Sequence, residues 1–307
     1  KFEDTAVINT LEDVEDGITT NLAWLVAFPG ADGHISLREA IIAANNTAAP
    51  VWLSVDPVLV AGGPGTAFVI LTMPLPVIEG AGLTLDGGGM AIVGAALAGS
   101  ASGLEILSAN NTIAQLGILE FPAAGVVIAG TSATNNTVRT CVVADCGEDG
   151  IRIEAGANGN VLGGASTDLA NVIVGNVGAG VLIRDPFSNG NVLQGNYIGY
   201  NPDLGLQLGN GVGVEIRGGA SSNLIGGTEI GTGNVIAFNT GSGVRIVDTP
   251  TTRNQIRRNS IHSNGGDGIN IRNLANSGIQ PPTITGFGSI LGTAQPGAIV
   301  ELFLDAA

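Results

Sequence analysis

Five of the eleven basic residues of this 307-residue chain sit at recurring positions of one repeated phrase, and all five are arginines: Arg152, Arg184, Arg217, Arg245 and Arg272. Arginine presents a planar fork that matches a carboxylate bidentately; lysine does not. Glu154 and Glu215 share these positions, while Glu148, Asp149 and Asp267 stand just ahead of the phrase. Carboxylates beside guanidiniums suit one demanding reaction on an acidic sugar. A cation neutralises the uronate carboxylate while a base removes the C5 proton. That chemistry needs the groups clustered at one level of the molecule. Here Asp149 and Asp267 are several repeats apart, and Asp before Gly is ordinary turn chemistry. Two readings follow. One is a solvated face on which Arg and Glu pair between repeats, each exposed pair contributing little. The other is a stripe that binds an anionic glycan or a neighbouring subunit.

Other chemistry finds less support. His34 and His262 have no acidic or nucleophilic partner nearby in the sequence and read as structural. There is no Ser-His-Asp order, no phosphate-binding loop and no metal-binding His pair, so no cofactor and no metal are expected. Cys141 and Cys146 read either as two small core residues or as a local disulfide. A metal pair is excluded, because no third ligand lies in their repeat. The net charge of −15 argues against general nucleic-acid binding. No run of 18 apolar residues suggests a membrane span.

The arginines ride on a repeat. Six times the chain writes Gly, a β-branched residue, any residue and Ile, beginning at Gly125, Gly150, Gly180, Gly213, Gly243 and Gly268. The intervals of 25, 30, 33, 30 and 25 residues signal a stacked, quasi-one-dimensional architecture. The phrase has strand periodicity, with its middle residue pointing outward. An Asn-x-Ile-x-x-Asn phrase precedes it at residues 171–176, 196–201, 234–239 and 259–264, with Cys141 and Cys146, and Leu116 and Phe121, in the same places earlier. A further Asn opens an apolar phrase at Asn111, Asn136, Asn160, Asn191, Asn223 and Asn254. Three short strands per repeat describe one coil of a parallel β-helix. Asn suits its corners, since it tolerates the left-handed region and its amide can bond its equivalents above and below. The fold class expected is all-β: a parallel β-helix. About eight coils at ~4.8 Å each make a rod roughly 40 Å long.

The N-terminal third differs. Ser36 and Glu39 form a capping box ahead of Leu37, Ala40, Ile41 and Ala44, which share one helical face. This helix is expected over residues 36–45 and should cover the open end of the core, which terminal coils cannot leave in water. The run Ile35-Ser36-Leu37-Arg38-Glu39-Ala40 resembles the Cys-Ser-Leu-Arg-Glu-Ala motif that opens many secreted bacterial right-handed β-helix proteins. Residues 8–17 resemble their lead-in, and residues 75–78 and 83–87 their first coils. The resemblance implies a right-handed, pectate-lyase-like solenoid and an extracellular or cell-surface location; it implies no particular activity. Ile35 replaces the motif's Cys, so a disulfide made by that Cys in relatives is absent here.

The organisation expected is a lead-in and capping helix over 1–50, the β-helix over 51–278, and C-terminal strands over 279–307 forming part of a β-sandwich. The function expected is a non-catalytic surface, matrix or filament scaffold. The alternative is a polysaccharide lyase or epimerase acting on acidic glycans, or a glycan-binding adhesin. Self-assembly is a further expectation: the stretch from Thr5 to Leu11 has little to pair with in its own stack and is free to complete the C-terminal sheet of a second copy.

Overall fold

The computed structural model describes residues 4–48, 50–63, 65–279, 283–286 and 291–293. Among these residues the strands form three long parallel sheets of nine, eight and seven strands, visited in turn so that each circuit adds one coil. This is the expected right-handed parallel β-helix. The first sheet runs from Asp4–Ile8 to Gln255–Arg257, the second from Phe68–Ile70 to Ser260–His262, and the third from Leu104–Ile106 to Ile269–Ile271.

Register keeps like residues over like. In the third sheet Ile128, Ile153, Ile183, Ile216 and Ile246 lie one above another, as do Val126, Ile151, Val181, Val214 and Val244. All ten are fully buried. The second sheet stacks Ile92, Ile118, Val143, Ile173, Ile198 and Ile236, also fully buried. Each such side chain contributes about 1.5–3 kcal/mol on leaving water. The Gly that opens the repeated phrase is required by crowding at the corner. A Cβ on Gly150 would lie 2.6 Å from the carbonyl oxygen of Gly180 and 2.8 Å from Nδ2 of Asn176.

The asparagines form three buried ladders among the described residues. The first runs through Asn111, Asn136, Asn160, Asn191, Asn223, Asn254 and Asn276. Each Oδ1 accepts from the backbone N–H of the residue one coil below, and between Asn111 and Asn254 also from its Nδ2, at 2.9–3.0 Å. The second amide proton goes to a carbonyl, as Asn191 Nδ2 to Ala157 O at 3.2 Å. The second ladder is Asn171, Asn196, Asn234 and Asn259; the third is Asn176, Asn210, Asn239 and Asn264. Cys141 and Cys146 head these two ladders, their N–H groups donating to Asn171 and Asn176. Both are free and buried, so the core reading holds and the disulfide does not form. Burial pushes their thiols up to about 12 and about 11.

Two details of the corners differ from expectation. The left-handed residue is the one before the ladder Asn, as at Asn110, Asn135, Ser222 and Arg253. And Asn210, not Asn201, occupies the third ladder, because a hairpin of Tyr200–Asn201 with Leu206–Gln207 is inserted between the two Asn positions of that coil.

At the N-terminus, helix α1 (Leu22–Ala27), which the sequence gave no sign of, packs beside α2 (Leu37–Asn45). The capping box of α2 is formed, and Leu37, Ala40 and Ile41 are buried in the continuous core. Glu39 does more than cap: its Oε1 accepts from the N–H groups of Asp16 and Gly17. Arg38 is itself buried, forking onto Asp13 at 2.7 and 2.8 Å and donating to the carbonyls of Met73 and Pro74. The lead-in, the cap and the first coil are thereby tied together.

The expectation that the stretch from Thr5 to Leu11 lacks a partner in its own stack is corrected. Asp4–Ile8 pairs in parallel with Val51–Val55 over five residues and opens the first sheet. Its partner lies beyond two intervening helices, which sequence pattern alone did not link. At the other end Thr283–Gly286 pairs antiparallel with Leu291–Thr293. The rest of the C-terminal segment expected over 279–307 lies outside the described residues.

Candidate functional site: the charged face of the third sheet

The outward positions of the third sheet form two columns. One reads Glu105, Val127, Arg152, Leu182, Glu215, Arg245 and Asn270 on successive strands. Two residues further along, the second places Arg184 directly beside Arg217. Five successive coils therefore each carry one arginine on this face: Arg152, Arg184, Arg217, Arg245 and Arg272. This is not a general property of outward faces. The described strands of the second sheet carry no Asp, Glu, Lys or Arg, and Ala144, Val172 and Val174 form a small apolar cluster there.

The charges interlock. Arg152 donates from Nε and Nη2 to Oδ2 of Asp149 at 2.9 and 2.8 Å, and from Nη2 to Glu148. Burial opposes the charge of Arg152, but the hydrogen bonds and charges of Glu148 and Asp149 outweigh it and raise its pKa. Asp149 is buried, and its other oxygen accepts from Ala179 N of the next coil at 2.9 Å. The sequence reads Asp149 as a turn residue; its side chain instead bonds the next coil and Arg152. Arg184 donates from Nε to Glu154 Oε2 at 2.6 Å, with Nη2 at 2.5 Å from the same oxygen. Glu215 is shared: Arg245 reaches it at 2.6 Å and Arg217 at 3.6 Å. Arg272 donates to Asn270 Oδ1 at 2.7 Å, and Asn270 donates in turn to Asp267.

A cleft of about 450 Å³ lies over this ladder, between Glu148, Asp149 and Arg152 on one side and Arg184 and Arg217 on the other. The structure thus brings Arg152, Arg184 and Arg217 to one opening and continues the face through Arg245 and Arg272. Asp267 lies at the level of the last strand, away from Asp149. His262 sits on the second sheet with its ring edge-on to Phe238, and His34 is exposed; neither joins this face. Sequence reasoning placed the arginines on one face but missed the cleft, because its wall at residues 147–149 and 177–178 is turn. No group of three His, Cys, Asp or Glu side chains suited to a metal ion occurs among the described residues. No helix among them is long and apolar enough to cross a membrane.

What this arrangement can do is bind anions through partly exposed guanidiniums while the carboxylates keep those guanidiniums oriented. Glu148, half exposed beside Arg152, adds a carboxylate to the cleft.

In structure, the A-module of the mannuronan C-5 epimerase of Azotobacter vinelandii is similar, with a TM-score of 0.53 at 18% identity over 73% of this chain. The chain spans 58% of that module's length. An alginate lyase from Paenibacillus sp. str. FPU-7 matches at a TM-score of 0.30 and 16% identity, over 72% of this chain and 84% of that one. No curated protein matches the sequence. Residues 77–230, half of the chain, match the family described as the right-handed β-helix region. The chain belongs to the right-handed β-helix family.

Proposed function

We propose that the third-sheet face binds an acidic polysaccharide outside the cell. The observation that carries this reading is the run of five arginines, one on each of five successive coils, gathered at and beyond a cleft in a chain of net charge −15. A purely structural role as a scaffold needs no such face, since the buried asparagine ladders and apolar columns already hold the coils in register. The fold is shared with a module of an epimerase named for mannuronan, which is consistent with a uronate polymer as ligand.

A second reading, turnover of the polymer by lyase or epimerase chemistry, is favoured by the half-exposed carboxylate of Glu148 at the cleft beside Arg152. In that reading Arg184 and Arg217 neutralise the uronate carboxylate, Glu148 takes the C5 proton, and the electron pair passes into that carboxylate; it then either expels the C4 oxygen, which takes a proton from water, or takes a proton at C5 from the opposite face. One panel tests both. Polygalacturonate, polymannuronate, polyguluronate and a neutral glucan are titrated against the protein by calorimetry. Each mixture is then followed for an unsaturated-uronate absorbance and for deuterium entering C5 from heavy water. Binding of a polyuronate but not the glucan, lost in Arg184→Ala/Arg217→Ala, supports the site. Product or exchange abolished by Glu148→Gln supports turnover. If no polyuronate binds, the reading of this face is wrong.

A further inference from the structure

The third-sheet face is unevenly neutralised along its length. At the two coils of Ile151–Glu154 and Ala179–Arg184, two guanidiniums meet four carboxylates: Glu148, Asp149, Glu154 and Asp185. Over the next three coils, three guanidiniums have one ion-paired carboxylate between them among the described residues. Arg217 and Arg245 share the one carboxylate of Glu215, Arg217 only at 3.6 Å. Arg245 holds it through Nη2 alone, and its Nε is buried without a hydrogen-bond partner. Arg272 makes no ion pair among the described residues; its contact is with the neutral side chain of Asn270. The nearby carboxylates are engaged elsewhere: Asp248 accepts from Gly218 N, and Asp267 accepts from Asn270 Nδ2. Arg217 and Arg272 are exposed and Arg245 is partly so.

These three side chains stand on three successive coils in two columns: Arg245 lies between Glu215 and Asn270 in register, while Arg217, at the end of its strand, and Arg272, just past Ile269–Ile271, each lie two positions further along. Successive levels are separated by about one strand spacing, ~4.8 Å. A pyranoside residue advances a glycan chain by a similar distance. A chain laid across the coils would meet one of these arginines; a chain laid along them would meet all three.

We infer that Arg217, Arg245 and Arg272 form a three-coil track that takes one uronate carboxylate per coil, with the glycan running parallel to the axis of the rod. The track rests on the reading of this face as a polyuronate site and adds to it an orientation, a register and a length. Arg217 is where the track meets the cleft, so the acidic coils at Arg152 and Arg184 mark its far end. A polyanion has reason to stop there, because carboxylates outnumber guanidiniums beyond it.

The test uses the full chain and oligogalacturonates of one to six residues, titrated by calorimetry, with the polymer as reference. Each added charge-assisted contact is expected to tighten binding about tenfold, up to the trimer, with little gain from the fourth residue onward. Arg245→Gln removes the middle contact and is expected to flatten the length dependence; Arg245→Lys keeps the charge and is expected to restore part of it. Melting curves confirm that the variants are folded. Equal affinities for monomer and trimer, or a length dependence that Arg245→Gln leaves intact, overturn the track. If the polymer binds while the oligomers show no step with length, the track is wrong and the polyuronate reading of the face stands. If neither polymer nor oligomers bind, both are wrong.

Discussion

The asparagine ladders at the corners and the arginine–carboxylate ladder on the third sheet repeat with the same spacing of one strand, yet one is buried and neutral and the other half exposed and ionic. In the first, every amide from Asn160 to Asn223 uses both its protons and its oxygen within the protein. Neighbouring dipoles are aligned and shielded from water, so each link supports the next. In the second, the partly exposed guanidinium of Arg245 is tied through one nitrogen and Arg217 is only loosely held. Water and salt screen what remains. The contrast separates stability from recognition. A ladder with nothing left to bond can only hold the fold together; a ladder with spare donors has something to offer a ligand.

The largest expected effect breaks the buried ladder. Asn191→Ala leaves the backbone N–H and the Nδ2 of Asn160 without their shared acceptor, at a site where both residues are fully buried. Each stranded donor costs about 1–3 kcal/mol, so a loss of about 3 kcal/mol or more is expected in urea unfolding. A loss below about 1 kcal/mol would mean that water replaces the amide, and that the ladder is less closed than its geometry indicates.

The heads of the second and third ladders give the next largest. The thiols of Cys141 and Cys146 are raised by burial from 9.0 to about 12 and about 11. A raised folded pKa means the unfolded chain ionises first. The neutral-thiol stability is whole below pH 9 and is lost as pH rises toward the folded values, by up to ~1.4 kcal/mol per pH unit for each thiol. Stability measured from pH 8 to 11 should fall more steeply in the native chain than in Cys141→Ala/Cys146→Ala. Equal slopes would show that these thiols are not shielded. Maleimide should label neither thiol in the folded protein.

A smaller effect tests the corners themselves. Thr140 lies in the left-handed region at φ 55° just before Cys141, a conformation that a β-branched residue rarely adopts. Asn visits it readily. Thr140→Asn should therefore raise stability by up to about 1 kcal/mol, since the bond it loses, Thr140 Oγ1 to Asp168 O, is exposed. No gain in melting temperature would show that the corner is set by the strands on either side and not by the turn residue.

How much of this was legible follows the same division. The inward columns and the first asparagine ladder could be read because identical residue types recur at fixed places. The second and third ladders were visible only as a phrase, and the inserted hairpin hid Asn210 by displacing it from Asn201. The turn residues left no pattern, since Gln115, Glu120, Thr140, Phe238 and Arg253 share a backbone conformation and nothing else. The parallel pairing of Asp4–Ile8 with Val51–Val55 joins segments on opposite sides of two helices, where local periodicity carries no information. On the third sheet the sequence showed which coils carry arginine. It did not show which arginines are already satisfied, because that depends on side-chain reach between coils.

The smallest expected change in stability is the one that most sharpens the comparison. Glu154→Gln removes the carboxylate that holds Arg184. If the ionic ladder serves recognition, the fold should scarcely notice: a partly exposed ion pair of this kind contributes ~0.2–1 kcal/mol, and urea midpoints should move accordingly. The same change frees a guanidinium at the cleft and removes one negative charge from it, so a polyuronate should bind several-fold more tightly, with a steeper loss of affinity as salt is raised. The opposite pattern, a loss of 2 kcal/mol or more with binding unchanged, would make Glu154 and Arg184 a structural rung like the asparagines and confine recognition to the coils from Arg217 onward.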